Sequence, residues 1–450
     1  MRKPLLLKSL KMIFDKLKQF RQSAYMLLGK GKDAIFDLMD AVLTSPAVKS
    51  FVELSLSPVF RRGWSSLYAG LRNSRPQKRK LMKLYIEQMP IVGRPLLAGD
   101  HTAWPRREAF TLKDRTIEHQ PTEIAGNKPI AVGHGFSTIA WIPEAQGSWA
   151  LPLRHERITS FETPLSRAAF QLRQVCKDLQ VRPIAVYDSE YGNASFVKQT
   201  SGIEADLLLR LRPNMCLWGA PPPYCGKGRP KIHGDKFKRA DKNTWGEPVA
   251  TWEIEDHSWG TVQVQQWFGL HFRASATHSM HILRITVSGQ HSGKPSPKPM
   301  WLGWLGGQMP SLEQTWRHYL RRFAVDHWNR FLKQRLHWTL PHFSTTELAE
   351  RWSDLMPLMS WQLWLAREIV KDNPLPWQKS QTKLTPGRVA QGFTAILAAI
   401  DTPAGKPKPR GKSPGWQKGK PRQQKTRYPV VKKTTPKSKK SVKQQSQKPA

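Results

Sequence analysis

Acidic residues are scarce in this 450-residue sequence, and long apolar runs are absent. Without eighteen consecutive apolar residues, no segment reads as a membrane-spanning helix. Only three cysteines occur, Cys176, Cys216 and Cys225, which suits a reducing cytosol and excludes a disulfide framework. Cys216, Cys225 and His233 match no common zinc-ligand spacing. The opening "MRKPLLLKSLKMIF" has a basic lead but only three leucines before Lys8, too short an apolar core for a secretory signal. Its Leu/Ile/Met/Phe spacing through Phe20 reads as a basic amphipathic helix, with a membrane-surface helix as the lesser alternative. Neither an internal repeat nor a glycine-rich phosphate loop is present.

Positive charge is what the chain has in abundance. Lys and Arg outnumber Asp and Glu by 72 to 33, a net charge of +39. The last fifty residues hold sixteen Lys/Arg against one acid, Asp401, so a large surplus also lies on the part with core-forming residues. A surplus on both parts points to a polyanionic partner, because each neutralised phosphate releases a counterion. Nucleic acid is the expectation.

The length predicts more than one domain. Residues 1–88 read as helical and basic, closing in "RNSRPQKRKLMK". From 89 to 212 apolar runs alternate with loops: "RPLLAGD", "PIAVGHGFSTIAWI" and "SWALPLRHERI" read as strands and "PLSRAAFQLRQVCKDLQ" as a helix. "RPIAVYDSEYG" is then a strand, "NASFVKQTS" a short helix and "ADLLLRLR" a strand. Residues 213–305 read as a β-rich insertion, with "PPPYCGKGRPKIHG" as an exposed basic loop. Two helices, 311–338 and about 345–371, dominate 306–400. Residues 401–450, rich in Pro, Lys, Gln and Ser, read as a disordered basic tail.

Asp100 closes the run in "LLAGDHTAWPR" and Asp188 the one in "IAVYDSEYG". Two carboxylates ending neighbouring buried strands repel unless a cation sits between them, and a divalent metal meets that demand. The simpler alternative is that each Asp caps a strand end. In "HYLRRFAVDHWNRFLKQRLHW" a single acid, Asp326, stands among six Lys/Arg from Arg317 through Arg335. At about 100° per residue, Tyr319, Arg322, Asp326 and Lys333 share one stripe of a continuous helix. Leu320, Phe323, Ala324 and Phe331 cover the adjacent, core-facing side. The alternative role for Asp326 is an exposed pairing with Arg322 and Arg330.

This order, strand acid, strand acid, helix acid, resembles that of the DDE transposases of bacterial insertion sequences, in the cut-and-paste group with a β-rich insertion. That group carries Tyr, two residues, Arg, three residues, Glu, six residues, Lys on its late helix. Tyr319, Arg322, Asp326 and Lys333 repeat the spacing, with Asp in place of Glu, one methylene shorter. The resemblance runs from about Asp100 to Trp364. It implies an α/β fold: an RNase H-like catalytic core interrupted by the insertion, between a helical N-terminal domain and the disordered tail. It also implies that Asp100, Asp188 and Asp326 hold Mg²⁺, or Mn²⁺ as substitute, for phosphodiester cleavage and transfer of the freed 3′-hydroxyl. Tyr319, Arg322, Lys333 and Arg330 would bind DNA beside the cut, and Lys227, Arg229 and Lys231 would bind it from the basic loop. Trp267, Trp301, Trp304 and Trp328 are the candidates for stacking a flipped base. The implied partners are double-stranded DNA, at element ends and target, and a second copy in the synaptic complex. The implied setting is the prokaryotic cytoplasm, on the nucleoid. Two rivals remain: a decayed or domesticated RNase H-like nuclease or DNA-binding protein, favoured by Asp326, and a purely structural nucleic-acid binder.

Overall fold

Leu17, Phe20 and Ala24 recur at helical spacing and are all buried, so the first helix, α1 (Arg2–Met26), presents one apolar stripe to the core. The structure is a computed structural model describing residues 2–90, 92–119, 130–288, 297–409, 415, 417–421 and 424–433, without the side chains of 2–9. α2 (Lys32–Thr44), α3 (Ser65–Asn73) and α4 (Lys78–Ile86) complete the helical N-terminal part. β1 (Leu96–Pro105), β2 (Thr116–His119), β3 (Ile130–Trp141) and β4 (Leu151–Ile158) follow, then α5 (Pro164–Cys176), β5 (Ile184–Tyr187), α6 (Ala194–Thr200) and β6 (Asp206–Arg210). Residues 213–305 contribute β7 (Cys216–Trp218), β8 (Lys236–Lys238), β9 (Ala250–Asp256), β10 (Gly260–Phe272), β11 (Ser275–Ser288) and β12 (Met300–Leu305). The chain then forms α7 (Leu312–Arg321), α8 (Phe323–Gln334), α9 (Thr346–Ser353), α10 (Leu355–Ala366) and α11 (Pro386–Ala399).

The protein is a mixed α/β fold, and among the described residues twelve strands join in one sheet. Its central order is β4-β3-β1-β5-β6: β3 is antiparallel to both β4 and β1, while β5 and β6 run parallel to β1. Residues 213–305 continue this sheet, because β12 lies antiparallel on β6 and carries β11 and β10 beyond it. α5 packs on one face of β3 and β1, and α8 packs on β1.

One contact fixes how β1 and β5 meet. Gly99 lies opposite Tyr187 in the parallel register, and a Cβ at Gly99 would stand 1.9 Å from Tyr187 Cε1. The Tyr187 ring is held by Tyr191 and Phe196, at 5.0 and 4.8 Å between centroids, and cannot swing away. Gly99→Ala should therefore destabilise the fold by about 1–3 kcal/mol or more, read as a lowered denaturation midpoint.

The N-terminal helices share a continuous apolar cluster with the C-terminal ones, running from Leu17 to Ala404. Tyr85 stacks on Trp361 at 5.7 Å. The buried Arg21 donates to both oxygens of Asp40, at 2.8 Å each, and to Gln362 Oε1 at 2.5 Å, so the buried charge is paired on both sides.

Both late helices expected from the sequence are split, at Arg322 and at Asp354. α11 adds a further helix near the end of the described core. Part of the basic tail is ordered: Tyr428 N donates to Phe110 O, Val431 N donates to Arg115 O, and Lys433 pairs with Glu118 at the β2 edge. Residues 410–414, 416, 422, 423 and 434–450 of that tail lie outside the described residues. Among the described residues no helix is long and apolar enough to cross a membrane.

Candidate active site

The register places two acids side by side. Leu96 pairs with Ile184 and Ala98 with Val186, so the next step in the same phase sets Asp100 beside Asp188 on one face. Asp188 follows the last residue of β5, as the sequence suggested, and its Oδ1 accepts the Glu190 N–H at 2.9 Å. Asp100 does not end its strand. β1 continues five residues to Pro105, and Asp100 itself pairs with Thr138 of β3. The run Asp100-His101-Thr102 stays extended because each polar side chain finds a partner. Asn329 Nδ2 donates to Asp100 Oδ2 at 3.0 Å, His101 Nδ1 meets the Tyr191 hydroxyl at 3.0 Å, and Lys333 Nζ donates to Thr102 Oγ1 at 2.6 Å.

The Asn329 and Lys333 bonds both come from α8. Four helical residues rise about 6 Å and two strand residues about 6.6 Å, so α8 runs alongside β1 with matched contacts. Trp328 anchors the helix from behind, its buried indole N–H donating to Ser360 Oγ at 2.9 Å. Asp326 stands one turn before Asn329 on the same side.

The electrostatics tie the three acids together. Burial, with Asp326 and Asp188 nearby, pushes the Asp100 carboxyl up to about 8 against the opposing pull of Arg322. Burial works against the Arg322 charge, but Asp326, Tyr319, Asp100 and Asp188 together hold that guanidinium above its usual value. Burial pushes Lys333 down, with Asp100 pulling the other way. Arg322 donates to Asp326 Oδ2 at 3.1 Å, so of the two partners that the sequence offered as an alternative, Arg322 is the one that pairs. Among the described residues, no three His, Cys, Asp or Glu side chains are gathered closely enough to hold an ion as they stand. Asp100 and Asp188 fit a divalent cation, since they place two oxygen donors on one face with a positive charge in demand. Asp326, exposed and paired with Arg322, is not gathered with them into one cluster.

Other expected residues fall elsewhere. Tyr319 is fully buried, its hydroxyl beside Arg322 and Arg210, and is not at the surface. Phe323, expected in the core, is 41% exposed at the break between α7 and α8. Arg330 is exposed on α8. Lys227, Arg229 and Lys231 are exposed in the β7–β8 loop, six strands from β1, or roughly 30 Å across the sheet. The four tryptophans offered as base-stacking candidates are corrected by their burial: Trp267 and Trp301 are 5% exposed, Trp328 2% and Trp304 0%. Each is walled in by packing and presents no open ring face.

Asn329 and Thr102 were missed by sequence reasoning. Asn329 falls on the Asp326–Lys333 stripe, within about 60° of arc, and that position was the available signal.

The family model described as DDE superfamily endonuclease matches residues 30–268, more than half of the chain. The match takes in Asp100 and Asp188 and stops before Asp326. No curated protein matches.

Proposed function

We propose that this chain, which belongs to the DDE superfamily of endonucleases, is the transposase of an insertion sequence, cutting DNA at the element ends and joining the freed 3′-hydroxyl to target DNA. The observation that carries the proposal is the in-step pair Asp100 and Asp188 under a helix bearing Asp326 and Lys333. The β4-β3-β1-β5-β6 order with its strand directions supports an RNase H-like core over 89–212 and 306–400, interrupted by the 213–305 insertion. In this reading residues 1–88 contact the terminal repeats and the basic tail adds sequence-independent affinity for phosphate.

Asp100, Asp188 and Asp326 are the residues that would hold Mg²⁺ or Mn²⁺. When bound, such ions supply Lewis acidity and a clamp on the attacking and leaving oxygens. The chain's own groups do the rest. Arg322, buried beside Asp326 and paired with it at 3.1 Å, balances the negative charge of the three acids. Lys333, fixed to Thr102 beside Asp100, offers a point charge for the phosphate next to the cut. Arg330 and the Lys227, Arg229 and Lys231 loop supply further backbone contacts away from the acids. A working complex holds two copies, since two ends must be joined.

The second reading is a DDE nuclease that no longer moves DNA, and the Asp326–Arg322 pairing favours it. Supercoiled plasmid bearing the element's terminal repeats, incubated with the protein and Mg²⁺, separates them. Transposition requires strand-specific nicking at the repeat ends and joined products. Cleavage scattered along the plasmid supports the second reading, and no cleavage even with Mn²⁺ ends both.

A further inference from the structure

Asn329 is a neutral side chain that reaches Asp100 from α8. Its Nδ2 donates to Asp100 Oδ2 at 3.0 Å, while its carbonyl oxygen Oδ1 is buried and receives no bond from any protein group. A buried amide oxygen without a donor is costly, and this one belongs to the same amide group that binds Asp100. The helix leaves this side chain little freedom. Trp328 ties one side of α8 to Ser360 at 2.9 Å, and Lys333 ties the next turn to Thr102 at 2.6 Å. A hard divalent cation takes carbonyl oxygens as readily as carboxylates and keeps bound waters that need acceptors. Ligating carboxylates are in turn oriented by hydrogen-bond donors around them.

We propose that Asn329 is a positioning residue of the metal site, locking Asp100 through Nδ2 and offering its buried Oδ1 as a further oxygen acceptor there. The proposal rests on the reading of Asp100 as a metal ligand. It gives α8 two roles at once: the helix carries the exposed Asp326, and through Asn329 it holds Asp100 in place.

The test measures Mn²⁺ binding to the full chain without DNA, by electron paramagnetic resonance of the free ion, alongside cleavage kinetics. Asn329→Leu keeps volume and helix propensity while removing both the donor and the oxygen. It is expected to weaken Mn²⁺ binding by about tenfold to a hundredfold and to lower kcat, with KM for DNA unchanged. Ser360→Ala breaks the Trp328 anchor of the same helix without touching Asp100 and leaves the Lys333–Thr102 tie in place, so its Mn²⁺ affinity should fall much less than that of Asn329→Leu. If Ser360→Ala weakens Mn²⁺ binding as much as Asn329→Leu, Asn329 acts only by fastening the helix and the proposal falls. If Asn329→Leu binds Mn²⁺ normally while Asp100→Ala does not, Asn329 has no part in the site although the metal reading stands. If Asp100→Ala also binds normally, the metal reading itself fails.

Discussion

Asp100→Asn and Asp188→Asn should each slow DNA cleavage by about a thousandfold or more, equivalent to about 4 kcal/mol of transition-state stabilisation. DNA affinity should hold or rise. The two acids sit in step on adjacent parallel strands, so replacing either by an amide removes one of the anionic oxygen donors that a divalent cation would take. DNA affinity comes instead from a surplus of 39 positive charges, and deleting a carboxylate reduces repulsion of phosphate. The Asp100 variant also guards against a trivial explanation. Because the buried Asp100 carboxyl is pushed up to about 8, its ionised form opposes folding, and a neutral isostere should fold at least as stably at alkaline pH. Plasmid nicking, gel-shift affinity and thermal unfolding on the same preparation check all three statements. Cleavage within about tenfold of the unmodified rate, in a folded variant, removes these acids from the mechanism.

Much of the central sheet could be read in advance because its strands are short apolar runs punctuated by turn residues. The seven elements expected between Arg94 and Arg212 match β1, β3, β4, α5, β5, α6 and β6. β2, "TIEH", escaped because four half-polar residues carry no period. The union of insertion and core was illegible for a different reason. It depends on β12 pairing with β6 across a long sequence separation, and strand pairing of that kind leaves no local pattern. The helix breaks were hidden because Arg322 and Asp354 keep right-handed helical backbone angles, so the apolar period runs on through them. That small break has consequences at the site. The α7 residues on one side of it need not follow the wheel of α8, so Tyr319 is buried while Phe323 is exposed. Within α8 the wheel holds: Asp326, Asn329 and Lys333 share a side, and the last two reach β1. The ordered stretch around Val431 has a plain cause, since "YPVV" is the one apolar run of its size in an otherwise polar tail.

Metal binding should release close to one proton at pH 7. With its carboxyl raised to about 8 from an ordinary value near 4, Asp100 is mostly protonated in the neutral, ion-free protein. For such a group the folded state binds the proton more tightly than the unfolded one. The stability it lends is complete below about pH 4 and is lost as pH rises through 8. A divalent cation takes the place of that proton, so apparent Mn²⁺ affinity should climb by nearly tenfold per pH unit up to about pH 8 and level off above it. Lys333 and Arg322 oppose extra positive charge nearby, which makes proton release, rather than simple accumulation of cations, the favourable exchange. Titration calorimetry at pH 7 in buffers of different ionisation enthalpy counts the protons. Asp100→Asn should abolish the release, whereas Asp326→Asn should only lessen it, because burial, the larger cause that holds Asp100 protonated, remains when the Asp326 charge is gone. A proton count near zero in the unmodified chain would mean that Asp100 is ionised before the cation arrives. The burial of that carboxyl under α8 would then not control the site.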